Sequence, residues 1–136
     1  MATQAPEQAT ATRGRILVVD DEAPVRRVIR QALEKHGYDV VEAPDGRVAI
    51  RVLENECFDV LITDIVMPEG DGLETILHLR RQHGRIKTIA ISAPSNQLFL
   101  ESARGLGADC LFVKPLSLEE LVAAVQNLLA GNDQPS

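Results

Sequence analysis

Short, nearly unbroken apolar runs alternate along the chain with longer stretches in which apolar residues recur every three or four positions. ILVV at 16–19 is the first such run, and behind it Val25, Val28, Ile29, Ala32 and Leu33 fall at i, i+3, i+4, i+7 and i+8. That spacing is one stripe of an amphipathic helix, which Gly37 ends. YDVVEA at 38–43 predicts a second strand, and Val48, Ala49, Val52 and Leu53 a second helix. FDVLIT at 58–63 predicts a third strand; DGLE at 71–74 has the form of a capping box, opening a helix that closes on Arg80, Arg81, His83 and Gly84. IKTIAIS at 86–92 is the fourth strand, 96–106 a looser helix, and CLFV at 110–113 the fifth strand. Ser117 with Glu120 caps a last helix whose Leu118, Leu121, Val122, Val125, Leu128 and Leu129 form its stripe before Gly131.

Strands and helices in strict alternation predict an α/β domain: a doubly wound, five-stranded parallel sheet with right-handed crossovers and both faces covered. In such a sheet ligands bind outside the carboxyl ends of the strands, where strand order reverses. At 136 residues the chain holds one domain, expected over 14–130, with a polar, flexible tail at 1–13 and a short tail at 131–136.

Charge and composition narrow the function. The apolar runs fall far short of the roughly 18 residues that cross a bilayer, and the polar start lacks the apolar core of a secretory signal, so the expected setting is cytoplasmic, with no membrane partner. A net charge of -6 argues against direct nucleic-acid binding. Arg26, Arg27 and Arg30 are expected to form a solvated helix face. Cys57 and Cys110 lack metal-ligand spacing and are expected as buried thiols, too far apart across the sheet to pair. His36, His78 and His83 are expected near helix ends, without a catalytic role. Leu98, Phe99 and Leu100 are consecutive, and one helix stripe cannot bury all three.

Four of the five predicted strands carry chemistry at the ligand edge: Asp20, Asp21 and Glu22 after the first strand, Asp64 after the third, Ser92 after the fourth and Lys114 after the fifth. With strand order 2-1-3-4-5, Asp20 and Asp21 face Asp64 across the switch point. Carboxylates that close repel by about 4 kcal/mol per pair at an effective dielectric near 20, so a cation must offset them. Oxygen ligands without His or Cys suit Mg²⁺. Mg²⁺ and Lys114 beside a carboxylate form a phosphoryl site in which Asp64 can act as nucleophile and Ser92 as hydrogen-bond donor.

ILVVDDE, ITDIVMPEGDG, AISA and FVKPL, in this order, resemble the receiver domain of two-component response regulators over about residues 14–130. The resemblance implies a CheY-like fold of the flavodoxin strand order and a phosphorelay function. Asp64 would accept a phosphoryl group from a phosphohistidine on a sensor histidine kinase or phosphotransfer protein. Asp21, Asp64 and the backbone carbonyl of Val66 would ligate Mg²⁺, with Asp20 acting through water. Lys114, before a Pro115 that in the family often follows a cis peptide, would pair with the phosphoryl group, and Ser92 would be the switch hydroxyl. Such a domain is a phosphoacceptor that promotes its own phosphorylation and dephosphorylation rather than an enzyme. Its output would pass to an unknown protein, with homodimerisation through the first helix or the fourth and fifth helices as a candidate. The usual aromatic three positions before the lysine is Leu111 here, and Phe112 is expected on the opposite strand face. Neither Val66 nor Pro94, two positions after Asp64 and Ser92, offers a polar group to an attacking water, so slow loss of the phosphoryl group is expected.

Other readings share parts of this pattern. A Mg²⁺-dependent phosphohydrolase using Asp64 would typically carry a second acid where Val66 stands. A flavin module would want a Gly, Ser and Thr-rich anion cradle after the first strand, where acids stand instead. A receiver-like scaffold that acts without phosphorylation retains the fold alone.

Overall fold

The computed structural model describes the backbone of residues 13–65, 72–82 and 86–131, and their side chains apart from those of 72, 73, 82 and 96–100. The strands are β1 (Arg15–Val19), β2 (Asp39–Ala43), β3 (Val60–Asp64), β4 (Lys87–Ser92) and β5 (Cys110–Val113). They form one sheet of order β2-β1-β3-β4-β5 in which each neighbouring pair is parallel. The helices are α1 (Ala23–Lys35), α2 (Gly46–Asn55), α3 (Gly72–Gln82), α4 (Gln97–Gly105) and α5 (Leu118–Leu129), with a 3₁₀ turn at Pro94–Asn96 leading into α4.

Local chemistry sets the helix ends. Pro24 occupies the first turn of α1. At the other end Gly37, at φ +91, lets its own N–H reach the Glu34 carbonyl and the Tyr38 N–H reach the Leu33 carbonyl, a left-handed stop that a side chain would strain. Asp45 caps α2 by accepting from the Val48 N–H at 2.9 Å, and Ser117 caps α5 by accepting from the Glu120 N–H at 3.2 Å. Asp71, the expected cap of α3, lies outside the described residues.

Alternation along the strands divides the core into two layers. Ile16 and Val18, Val60 and Ile62, and Ile89 and Ile91 pack with Ile29 and Leu33 of α1 and Leu121 and Val125 of α5. Leu17, Val19 and Leu61 face the other way, onto Ala49 and Leu53 of α2 and Leu79 of α3; Ala90 meets Ile76 of α3 and Ala103 of α4. Phe112 joins the α1 and α5 side while Leu111 joins the α4 side, as the alternation requires.

Several expectations need correction. β5 is an edge strand and only half-buried, with Val113 47% exposed, so burial on both faces holds for the inner strands alone. Val28 is 47% exposed because Ile29 and Leu33 take the inner line of α1. Arg27 is exposed as expected, but Arg26 is largely buried, and both it and Arg30 are drawn onto Glu42 of β2, at 3.0 and 2.8 Å. Cys57 is exposed and Cys110 partly buried; both are free thiols. His78 lies inside α3, 3.9 Å from Glu54 of α2, rather than at a helix end, and His83 is outside the described residues. The expectation for Leu98, Phe99 and Leu100 falls outside the described side chains.

Candidate functional site

Strand parity gathers the polar residues. Ile16 and Val18 put Asp20 on the α1 and α5 side two residues on; Val60 and Ile62 do the same for Asp64, and Cys110 and Phe112 for Lys114. Because β1 and β3 are paired with Val19 opposite Thr63, Asp20 and Asp64 emerge side by side. β5 is two strands from β3, and the long lysine stem spans that gap: Lys114 Nζ lies 3.0 Å from Asp64 Oδ2 and 3.4 Å from Asp20 Oδ2. Its backbone N–H donates to the Ser92 carbonyl at 2.9 Å, and the bond between Lys114 and Pro115 is cis, as the resemblance implied.

The three acids differ in setting although two are adjacent in sequence. Asp20 is 1% exposed and Asp64 is buried, while Asp21 is exposed. Asp20 Oδ1 accepts from the Glu22 N–H at 2.8 Å, whereas its buried Oδ2 accepts no hydrogen bond among the described residues and forms an ion pair with Lys114. Burial pushes the Asp20 carboxyl up to about 6; the Asp64 charge adds to this, and the Glu22 N–H and Lys114 oppose it. Burial disfavours the charge of Lys114, but the hydrogen bond to Asp64 and the charges of Asp20 and Asp64 outweigh it and raise its pKa. Glu22 Oε1 stands 3.9 Å from the same ammonium on the solvent side.

This donor set fits a hard divalent cation. One oxygen each from Asp20, Asp21 and Asp64 lies within 4.8 Å of the others, and the buried Asp20 Oδ2 has no hydrogen-bond donor among the described residues. Carboxylates without His or Cys match Mg²⁺. Val66, the expected carbonyl ligand, is outside the described residues.

Ser92 is not part of this contact. Its parity is that of Ala90, toward α3 and α4, and its buried Oγ has no hydrogen-bond partner among the described residues. Sequence reasoning missed two participants, Arg26 and Glu42. Arg26 donates from Nη1 to the Asp20 carbonyl at 2.7 Å and from Nε to Glu42 at 3.0 Å. Three arginines on one helix and Glu42 among the apolar residues of β2 were the available signal.

Comparison with known proteins agrees with the fold. A probable transcriptional regulatory protein of Picosynechococcus sp. is 39% identical over 126 residues, covering 88% of this chain and 50% of that protein. The alkaline phosphatase synthesis transcriptional regulatory protein PhoP of Bacillus subtilis is 35% identical over 119 residues, covering 88% of this chain and 50% of that protein. The chain thus spans about half the length of these curated relatives. Among solved structures, a CheY-like receiver domain protein from Methanospirillum hungatei superimposes with a TM-score of 0.83 at 25% identity, over 90% of this chain and 98% of that one. The Francisella response regulator 1452 receiver domain gives 0.80 at 28% identity, over 88% and 98%. The expectation of no nucleic-acid connection does not carry to the relatives, which are transcriptional regulators by name. Net charge reports on the surface of this segment and not on what the other half of such a regulator touches. No helix among the described residues is long and apolar enough to cross a membrane. A sequence model of the response regulator receiver domain matches residues 16–126, and the chain belongs to that family of two-component signalling domains.

Proposed function

We propose that Asp64 is a phosphoacceptor, charged by a phosphohistidine on a sensor histidine kinase or phosphotransfer protein and assisted by Mg²⁺. The observation that carries this reading is the pairing of Lys114 with both Asp64 and Asp20 at the carboxyl edge of the sheet, within a cluster of three carboxylates. Asp20, Asp21, Asp64 and the Val66 carbonyl would hold the ion. When bound, Mg²⁺ supplies positive charge that neutralises phosphoryl oxygens.

A carboxylate oxygen of Asp64 attacks phosphorus in line; the O–P bond forms as the P–N bond breaks, and the electron pair leaves with the imidazole nitrogen, which takes a proton. Lys114 already sits where charge on the transferred oxygens would develop, and follows them once the Asp64 charge is masked. Ser92, whose Oγ has no hydrogen-bond partner among the described residues, donates a hydrogen bond to a phosphoryl oxygen after turning toward the pocket. Water later cleaves the acyl phosphate. The chain is then a switch in a phosphorelay rather than a turnover catalyst, and its setting is the cytoplasm.

For output we infer control of transcription, from the names of the relatives. With a net charge of -6 the receiver would act on a DNA-binding element or a partner protein, a second copy included, rather than on DNA. Incubation with a small phosphodonor and Mg²⁺, read by intact mass, tests the reading. Wild type gains one phosphoryl group, and Asp64→Asn or chelation with EDTA abolishes the gain. Equal labelling of Asp64→Asn would refute it.

A further inference from the structure

Four polar groups of Asp20 have three fixed partners. Its N–H donates to the Ala43 carbonyl at 3.2 Å, its carbonyl accepts from Arg26 at 2.7 Å, and its Oδ1 accepts from the Glu22 N–H at 2.8 Å. Among the described residues Oδ2 accepts no hydrogen bond, and it faces the acidic pocket, 3.4 Å from Lys114 Nζ. Two of those partners are backbone groups of the fold itself. The third is a side chain that must be brought from α1, and it is held there by Glu42, which stands in register with Val18 of β1. The Arg26 and Glu42 side chains are 15% and 18% exposed, so solvent does little to loosen the pair. Glu42 is gripped from its other oxygen by Arg30 at 2.8 Å, which fixes the carboxylate from both sides.

We propose that Arg26 is a positioning residue for the acidic pocket: clamped by Glu42, it holds the Asp20 carbonyl and so the peptide joining Asp20 to Asp21. Rotation of that peptide would turn the exposed Asp21 carboxylate away from Asp20 and Asp64, with which it now converges. A guanidinium suits the task, because its planar fork bonds a carboxylate and a carbonyl at once, which a single ammonium on a flexible stem does poorly. Charge and position act in opposite directions here. As a mere positive charge beside three acids, Arg26 would repel a divalent cation, and its removal would tighten binding. As a positioning group, its removal weakens binding, by the 10- to 100-fold typical of lost outer partners of metal ligands.

The inference rests on the reading that the pocket takes Mg²⁺, and the experiment separates the two. Mg²⁺ affinity is measured by titration calorimetry on wild type, Arg26→Met and Arg27→Met, with thermal unfolding of each. Arg26→Met weakens Mg²⁺ at least about tenfold, whereas Arg27→Met, which removes an equal charge from an exposed position next to it on the same helix, stays within about twofold of wild type. If wild type binds Mg²⁺ and Arg26→Met binds it equally or more tightly, the role of Arg26 is refuted and the pocket stands. If wild type binds none, both fall together. Should Arg26→Met fail to fold, Arg26→Lys decides: it keeps the charge, and unchanged affinity overturns the proposal while a loss of about tenfold supports it.

Discussion

Lys114 Nζ lies 3.0 Å from Asp64 Oδ2, although 50 positions separate the two residues. The same nitrogen reaches Asp20 Oδ2 at 3.4 Å, so one cation offsets two buried carboxylates. Replacing it with an apolar side chain removes that offset from both. Lys114→Met is expected to destabilise the protein, when no divalent cation is present, by about 1–3 kcal/mol, below the range for a fully buried pair because Lys114 keeps some exposure. Added Mg²⁺ restores part of that loss. Chemical denaturation with and without Mg²⁺ measures both effects.

The buried Asp20 makes stability and metal binding depend on pH in opposite senses. Its folded carboxyl is raised from 3.8 to about 6, so the folded state favours the protonated form. Ionisation therefore costs stability, progressively as pH rises from about 4 through 6, by an amount on the order of 2–3 kcal/mol. Asp20→Asn removes this cost, and its unfolding midpoint in EDTA at pH 7.5 is expected above that of wild type. Mg²⁺ needs the ionised form, so wild-type affinity falls as pH drops from 7.5 to 5.5, whereas Asp20→Asn binds weakly at both. Calorimetry at the two pH values checks the slope; an affinity independent of pH would contradict it.

The lifetime of a phosphoryl group on Asp64 should be long. Val66 has no polar side-chain group, and Pro94, in the exposed turn before α4, has none either, so neither can orient an attacking water. Val66→Asn introduces such a group and is expected to shorten the lifetime by about tenfold or more, because its carboxamide can hold the attacking water in line with phosphorus. Loss of the phosphoryl mass with time, after removal of the donor, gives the rate.

Asp45 supplies a control for damage to the fold. It caps α2 through the Val48 N–H, and among the described residues no hydrogen bond or ion pair joins its side chain to Asp20, Asp21, Asp64 or Lys114. Asp45→Ala should cost about 1 kcal/mol of stability and leave the yield of phosphorylated Asp64 unchanged. Paired denaturation and intact-mass measurements decide it.

Much of this molecule is legible without coordinates, for a local reason. Apolar period, cap residues and the glycine after α1 are short-range signals, and they place every strand to within about two residues. Parallel strands with helical crossovers leave few topologies, so the carboxyl edge, and with it Asp20, Asp64, Ser92 and Lys114, follows from the order of elements. Asp20 and Asp21 could not be told apart that way. Only strand parity and register bury the first and leave the second in solvent, which is why one is shifted to about 6 while its neighbour stays exposed.

The arginines of α1 and the two cysteines mark the same boundary. A helix pattern assigns Arg26 and Arg30 to solvent because it sees one helix at a time; the pairing of β2 with β1 brings Glu42 beneath them. Cys57 borders an apolar run yet is exposed, since the chain has not entered β3 at that point. The sequence by itself determined the elements, their order and the edge at which the acids collect, because those depend on local periodicity and connection rules. The tertiary structure alone decided which acid is desolvated, which cation meets which carboxylate and what holds the Asp20 peptide in place. Those depend on distances between residues far apart in the chain, and electrostatic energies change steeply over such distances.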